Sequence, residues 1–151
     1  MFTISPIGVV HSSRKEAIDD RWETVSARID LSMEFSPAAL SGLAEFSHAE
    51  VIYYFDRVPD DKIERGARHP RGNPDWPSVG IFAQRAKDRP NRLGLTIVEI
   101  VNVTERTLTV RGLDAIDGTP VLDIKPVMQE FLPRTPVRQP AWSRELMRDY
   151  W

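Results

Sequence analysis

Residues 93–126 read LGLTIVEIVNVTERTLTVRGLDAIDGTPVLDIKP. The first part, LGLTIVEIVNVT, is dense in Leu, Ile and Val with no Pro and reads as a strand. TLTVRGLD and PVLDIKP read as two more. The chain turns between the first two at ERT, Glu105 to Thr107, which suits a hairpin. DGTP makes a tight turn, with Gly118 taking the backbone conformation that other residues avoid. The regular alternation of strand and helix that marks a doubly wound fold is absent.

The same pattern extends outward. VGIFAQR at 79–85 and HAEVIYYFDRV at 48–58 read as strands. WETVSARIDL at 22–31 puts Val25, Ala27, Ile29 and Leu31 on one face and Ser26, Arg28 and Asp30 on the other. FTISPIGVVHS opens the set with Ile7, Val9 and Val10. A short helix is expected at SPAALSGLAEF, with Ser36 as N-cap, Pro37 at the first helical position and Leu40, Leu43 and Ala44 on one face. Residues 59–78 carry Pro59, Pro70, Pro74 and Pro77 and read as an unusually long loop. After Pro133, Pro136 and Pro140, SRELMRDYW is expected to close as a helix capped by Ser143. The fold class expected is mainly β: a single-domain β-barrel with one or two short helices and a long Pro/Arg-rich loop. Its barrel covers 4–132, and 133–151 form an extension with a short helix. Closing the sheet removes exposed strand edges.

The chain has 151 residues, 41% hydrophobic and 28% charged, as in a globular domain with its own core. It contains no cysteine, which excludes disulfides, thiolate metal sites and Cys catalysis. The sequence begins without a signal-peptide pattern and has no membrane-length apolar run, so it reads as cytoplasmic. His11, His48 and His69 lack close ligand spacing, and no metal is expected. There is no G-x-G-x-x-G, no P-loop and no G-x-S-x-G. Net charge is −2, against a general nucleic-acid coat. Yet Lys62, Arg65, Arg68, Arg71, Arg85, Lys87, Arg89 and Arg92 are opposed within their stretch only by Glu64, Asp75 and Asp88. Such a run is either a solvated surface or a phosphate-facing patch.

Three polar clusters remain. EFSHAE places His48 where a helix gives way to a strand, as a site residue or as a strand-end cap. In GIFAQRAKDRPNRLGLT, Arg85 and Arg89 flank a turn and can hold a carboxylate or phosphate, and Gly94 permits close backbone approach. In GLDAIDGTPVLDIKP, Asp114, Asp117, Asp123 and Lys125 sit among apolar residues. Buried charges must be paired, exposed or used. The structural reading pairs Asp123 with Lys125 and Asp114 with Arg111; the functional reading has them line a site.

Taken together, F-A-x-R, R-P-N and D-G-T-P-V-x-D-I-K-P in this order, with IGVVHSS and LSGLAEFSHAEVIYYF before them, resemble the TrmO-like (YaeB, TsaA-like) domain over residues 4–126. The resemblance implies an S-adenosyl-L-methionine-dependent methyltransferase on a β-barrel, forming a homodimer. It implies N6-methylation of N6-threonylcarbamoyladenosine beside the tRNA anticodon. It places the cofactor among Phe82, Gln84, Arg85, Arg89, Asn91, Leu113, Asp117, Thr119, Asp123 and Lys125. His48 lies nearby in that scheme. Asp117, Asp123 and His48 are then the candidate bases, with Asp117 favoured because a turn carboxylate can reach solvent-side substrate while Asp123 has Lys125 as an obvious partner. Arg65, Arg68, Arg71 and Arg92 are the expected tRNA contacts. Two motif positions depart from the family: Arg92 replaces the proline of R-P-N-P, and Val127 replaces a tyrosine after D-I-K-P. The chain also ends near the barrel, whereas longer members carry a further C-terminal domain suited to gripping tRNA. The alternatives are methylation of another, smaller acceptor and a non-catalytic S-adenosyl-L-methionine-binding regulatory module.

Overall fold

In the computed structural model, which describes residues 1–151, six antiparallel strands close into a barrel in the circular order β1-β2-β7-β6-β3-β8. They are β1 (Gly8–Ser12), β2 (Ser26–Leu31), β3 (His48–Tyr54), β6 (Leu93–Thr104), β7 (Thr107–Arg111) and β8 (Pro120–Pro126). A separate two-stranded ribbon joins β4 (Ala67–Arg68) to β5 (Val79–Gly80). The one α-helix is α1 (Ala141–Leu146).

Period-two alternation explains the closure. Ala27, Ile29 and Leu31 of β2, Ala49, Val51 and Tyr53 of β3, and Leu108 and Val110 of β7 all point into one core. Their neighbours Ser26, Arg28 and His48 face outward. Each fully buried Val, Leu or Ile side chain contributes about 1.5–3 kcal/mol relative to exposure. That shared interior sets the register, because a one-residue slip would turn the apolar set to water.

Two irregularities shape the wall. β6 is shared lengthwise: Leu93–Glu99 pair with β3, and Glu99–Thr104 pair with β7 after a register shift at Ile100/Asn102. Between β3 and β8 the register moves from Ile52↔Asp123 to Tyr53↔Val121, which leaves Leu122 as an extra residue in β8. Gly94 is required by close packing: a Cβ there would lie 2.4 Å from the Tyr53 ring.

Several local expectations need correction. Residues 79–85 are not one strand: β5 ends at Gly80 and Ile81–Ala83 form a 3₁₀ turn. The turn is fixed from outside, by the Gln84 amide on the carbonyls of Arg68 and Val79 and by Arg89 on the Gln84 carbonyl. Residues 36–46 make two 3₁₀ turns, Pro37–Leu40 and Leu43–Glu45, because Gly42 at φ +87 breaks the helical path; Ser36 forms no side-chain cap. The last helix starts at Ala141, and Ser143 bonds back to the Pro140 carbonyl at 2.7 Å. Val25 lies in a turn before β2, its N–H donating to Trp22 O at 3.0 Å. The long loop is ordered by turns at Asp60–Lys62 and Pro70–Gly72 and by the β4–β5 ribbon.

Gly94→Ala forces a methyl group into the Tyr53 ring. It is expected to destabilise the barrel by about 1–3 kcal/mol and lower Tm by roughly 3–10 °C in a circular-dichroism melt. An unchanged Tm would contradict this packing.

Candidate functional site

Since all neighbours are antiparallel, one end of the barrel collects the C-terminal ends of β1, β7 and β3 and the N-terminal ends of β2, β6 and β8. The sequence between β7 and β8, residues 112–119, crosses this end. The loop that ends at Arg92 delivers β6 to it.

At its centre is a carboxylate surrounded by hydroxyls. Tyr53, inside the barrel and only 2% exposed, donates to Asp114 Oδ1 at 2.8 Å. Thr96 of β6 donates to the same oxygen. Tyr150, from the segment after α1, donates to Asp114 Oδ2. Burial, and then the nearby Asp114 charge, push both tyrosine hydroxyls well above the ordinary tyrosine range. Both hydroxyls therefore keep their protons, and the carboxylate sits satisfied between Leu113 and Ala115, which are buried. The expected Asp114–Arg111 pair does not form; Arg111 instead meets Glu99 at 3.1 Å on the outer face.

Asp117 lies on the same crossing segment. Its Oδ1 accepts the Ser12 N–H at 2.9 Å, its own N–H donates to Arg14 O at 2.7 Å, and its carbonyl accepts from Arg57 at 3.0 Å. It borders an open cleft of about 320 Å³ with His11, Lys15, Arg28 and Thr109 among the walls. Gly118 beside it has φ +85, as the turn requires. The Thr119 hydroxyl is buried and bonds the Ile116 carbonyl at 2.7 Å, holding the turn shut.

The arginines of the preceding loop have distinct tasks. Arg85 is exposed, and one of its Nη atoms donates to Leu95 O on β6. Arg89 donates to the carbonyls of Gln84 and Ala86 at 2.8 and 3.3 Å. Arg92, at φ +51, donates to Val58 O at 2.9 Å and pairs with Asp60. Asn91 and Phe82 are exposed, Phe82 by 79%. Gln84 is buried, with its Oε1 lacking a hydrogen-bond partner.

Not every expected residue gathers at this end. His48 begins β3 at the opposite end, opposite Glu99, with its Nδ1 2.6 Å from Ser47 Oγ. Asp123 and Lys125 lie on the outer wall opposite Ile52 and Glu50 and pair with each other at 3.2 Å. Arg68 pairs with Asp88 at 2.8 Å and Arg71 with Asp20 at 3.0 Å, whereas Arg65 is exposed and makes no ion pair or side-chain hydrogen bond. Sequence reasoning missed the roles of Tyr53, Thr96 and Tyr150. The available signal was the polar Thr96 at an inward position of an apolar strand.

The hydroxyl cage predicts alkaline behaviour. Below the ordinary tyrosine pKa of about 10, both Tyr53 and Tyr150 are protonated whether the chain is folded or not, and their stabilisation is complete. Above it the unfolded chain releases protons that the fold retains, so stability falls as pH rises. Urea unfolding across this range is expected to show a steep alkaline decline, with the slope cut to about half in Tyr150→Phe. Equal slopes in the two proteins would contradict the caged carboxylate.

Comparison with known proteins agrees with this architecture. A model of the tRNA-methyltransferase O N-terminal domain matches residues 15–131. The chain is 36% identical over 143 residues to a probable S-adenosyl-L-methionine-binding protein of Pyrococcus abyssi, covering 91% of this chain and 74% of that protein. It is 37% identical over 93 residues to a tRNA (adenine(37)-N6)-methyltransferase of Mus musculus, covering 62% of this chain and 21% of that enzyme. A crystal structure of TrmO from Pseudomonas aeruginosa superposes with a TM-score of 0.76 at 28% identity, over 94% of this chain and 62% of that one. The chain thus spans less than two thirds of the crystallised protein.

Proposed function

We propose that this chain, which belongs to the family of tRNA-methyltransferase O N-terminal domains, binds S-adenosyl-L-methionine at the 112–119 end of the barrel and methylates a tRNA adenosine. The acceptor in this reading is N6 of N6-threonylcarbamoyladenosine beside the anticodon, and the activity is cytoplasmic. No helix is long and apolar enough to cross a membrane. The observation that carries the reading is the family match across residues 15–131, which contains Arg85, Asn91 and the 112–119 crossing segment.

The side chains at this end suit such a cofactor. Leu113 and Ala115 anchor the crossing segment in the core, and its half-buried Ile116 and exposed Gly118 are the surface it presents to a nucleoside. Arg85 is exposed and retains donors beyond its bond to Leu95, which suits a carboxylate. Arg89 is committed to two backbone carbonyls and holds the loop in shape. The cofactor supplies a methyl group on a sulfonium centre. Asp117 Oδ2 is not used in any hydrogen bond, while Oδ1 is anchored by the Ser12 N–H. An anchored carboxylate with one open oxygen suits removal of the acceptor nitrogen's proton, so Asp117 is assigned as base in preference to His48.

Among the arginines expected at tRNA, Arg65 is available as it stands, while Arg68, Arg71 and Arg92 would exchange carboxylate partners for phosphate. These existing ion pairs favour, as a second reading, a cofactor-binding module without tRNA methylation. At 100-fold excess over Kd, S-adenosyl-L-methionine is expected to stabilise the protein by about 2.7 kcal/mol and raise Tm by roughly 5–10 °C. Labelled cofactor with tRNA carrying the threonylcarbamoyl group should give labelled tRNA, and Asp117→Ala should retain the thermal shift but lose transfer. A flat melt with cofactor would end the reading; a shift without labelled tRNA would leave the module.

We place a homodimer interface on the outer face of β3 and β6. Leu93, Leu95 and Ile97 are each at least 40% exposed there, beside Tyr54 and Ile52 across the ladder. An apolar row on the outside of a closed barrel has no partner within the chain. Ile97→Glu is expected to convert a dimer to a monomer in sedimentation equilibrium while the circular-dichroism spectrum stays that of the folded barrel. A native protein sedimenting as a monomer would refute the interface.

A further inference from the structure

The segment 141–151 lies across the barrel end that holds Asp114, and it is tied down at several places. Trp76 Nε1 donates to Glu145 Oε2 at 2.9 Å. The Arg21 and Trp22 N–H groups donate to the carbonyls of Asp149 and Tyr150, both at 2.9 Å. Trp151 packs edge-on against Tyr150 at 5.0 Å between ring centroids and reaches Gly112.

The connection to the barrel is different in kind. Residues 129–141 are exposed throughout, with Pro133, Pro136 and Pro140 keeping the chain extended. Such a tether restrains little, so the segment is held by its own contacts. Of the hydroxyls on Asp114, those of Tyr53 and Thr96 belong to barrel strands; only Tyr150 comes from a removable element.

Resting on the cofactor reading above, we propose that residues 141–151 are an autoinhibitory strap. Tyr150 occupies Asp114 Oδ2 on the crossing segment, and so competes with the nucleoside for that end of the barrel. The strap is an intramolecular competitor at high local concentration. The ligand's apparent affinity is then lowered by the fraction of molecules in which the strap is open.

Binding of S-adenosyl-L-methionine to the full chain and to Tyr150→Phe, measured by calorimetry, tests this. The variant keeps the ring and loses the hydroxyl, and it is expected to bind about threefold to tenfold more tightly. Amide hydrogen exchange in the native protein supplies a second measurement that needs no variant. Saturating cofactor should speed exchange at the Arg21 and Trp22 amides, which donate to the strap. Equal or weaker binding by Tyr150→Phe, or slower exchange at those amides with cofactor, would overturn the strap and leave the cofactor site standing. Failure of both proteins to bind would remove the cofactor reading and the strap with it.

Discussion

The end of the barrel that matters depends on one half-buried carboxylate. A carboxylate removed from water is tolerated only if its oxygens are supplied with donors. Asp114 takes them from Tyr53 on β3, Thr96 on β6 and Tyr150 beyond α1. The result ties two barrel strands, the 112–119 crossing and the distal segment to a single point. Neutral donors suit that role. An arginine would bring its own desolvation penalty into the interior, while hydroxyls solvate the charge without adding another. The same arrangement explains Gly94, since the Tyr53 ring reaches Asp114 only by lying flat over a residue without a side chain.

The arginines show how composition and geometry part company. In sequence the stretch from Lys62 to Arg92 carries eight basic residues against Glu64, Asp75 and Asp88. In space its counter-charges arrive from elsewhere: Asp60 meets Arg92, and Asp19 and Asp20 meet Arg71. Exposed pairs of this kind add little stability, about 0–1 kcal/mol each. Their effect is to fix where a long loop lies and to lower its net field toward a polyanion. Arg89 acts by another route, closing a turn through backbone carbonyls.

Most of the barrel was legible because it depends on local alternation. Ala27, Ile29 and Leu31 announce their shared face, and the GTP turn announces Gly118. The pairing of Asp123 with Lys125 was also readable, since the two lie on one strand face. What escaped is what depends on distance along the chain. Tyr53 and Asp114 meet across 61 positions, and Tyr150 and Asp114 across 36, with nothing in either neighbourhood to point at the other. Residues 79–85 misled for a related reason: VGIFAQR has strand composition, but distant carbonyls hold the Gln84 amide and turn the backbone. His48 was grouped with the site from its motif, yet strand direction sends it to the far end.

β6 has a consequence for how such a closed shape deforms. Its first half is laddered to β3 and its second half to β7, with Glu99 the residue paired to both. Alongside Leu93–Val98, on the flank turned away from β3, the wall is therefore completed by side chains and a crossing loop instead of by a repeating amide ladder. A ladder yields only cooperatively, many bonds at a time, whereas a seam of individual side-chain contacts opens piecemeal and reseals in water. Opening the cylinder therefore costs least where ladders are short or missing, along this flank of β6 and at the two-pair junction of β1 with β8.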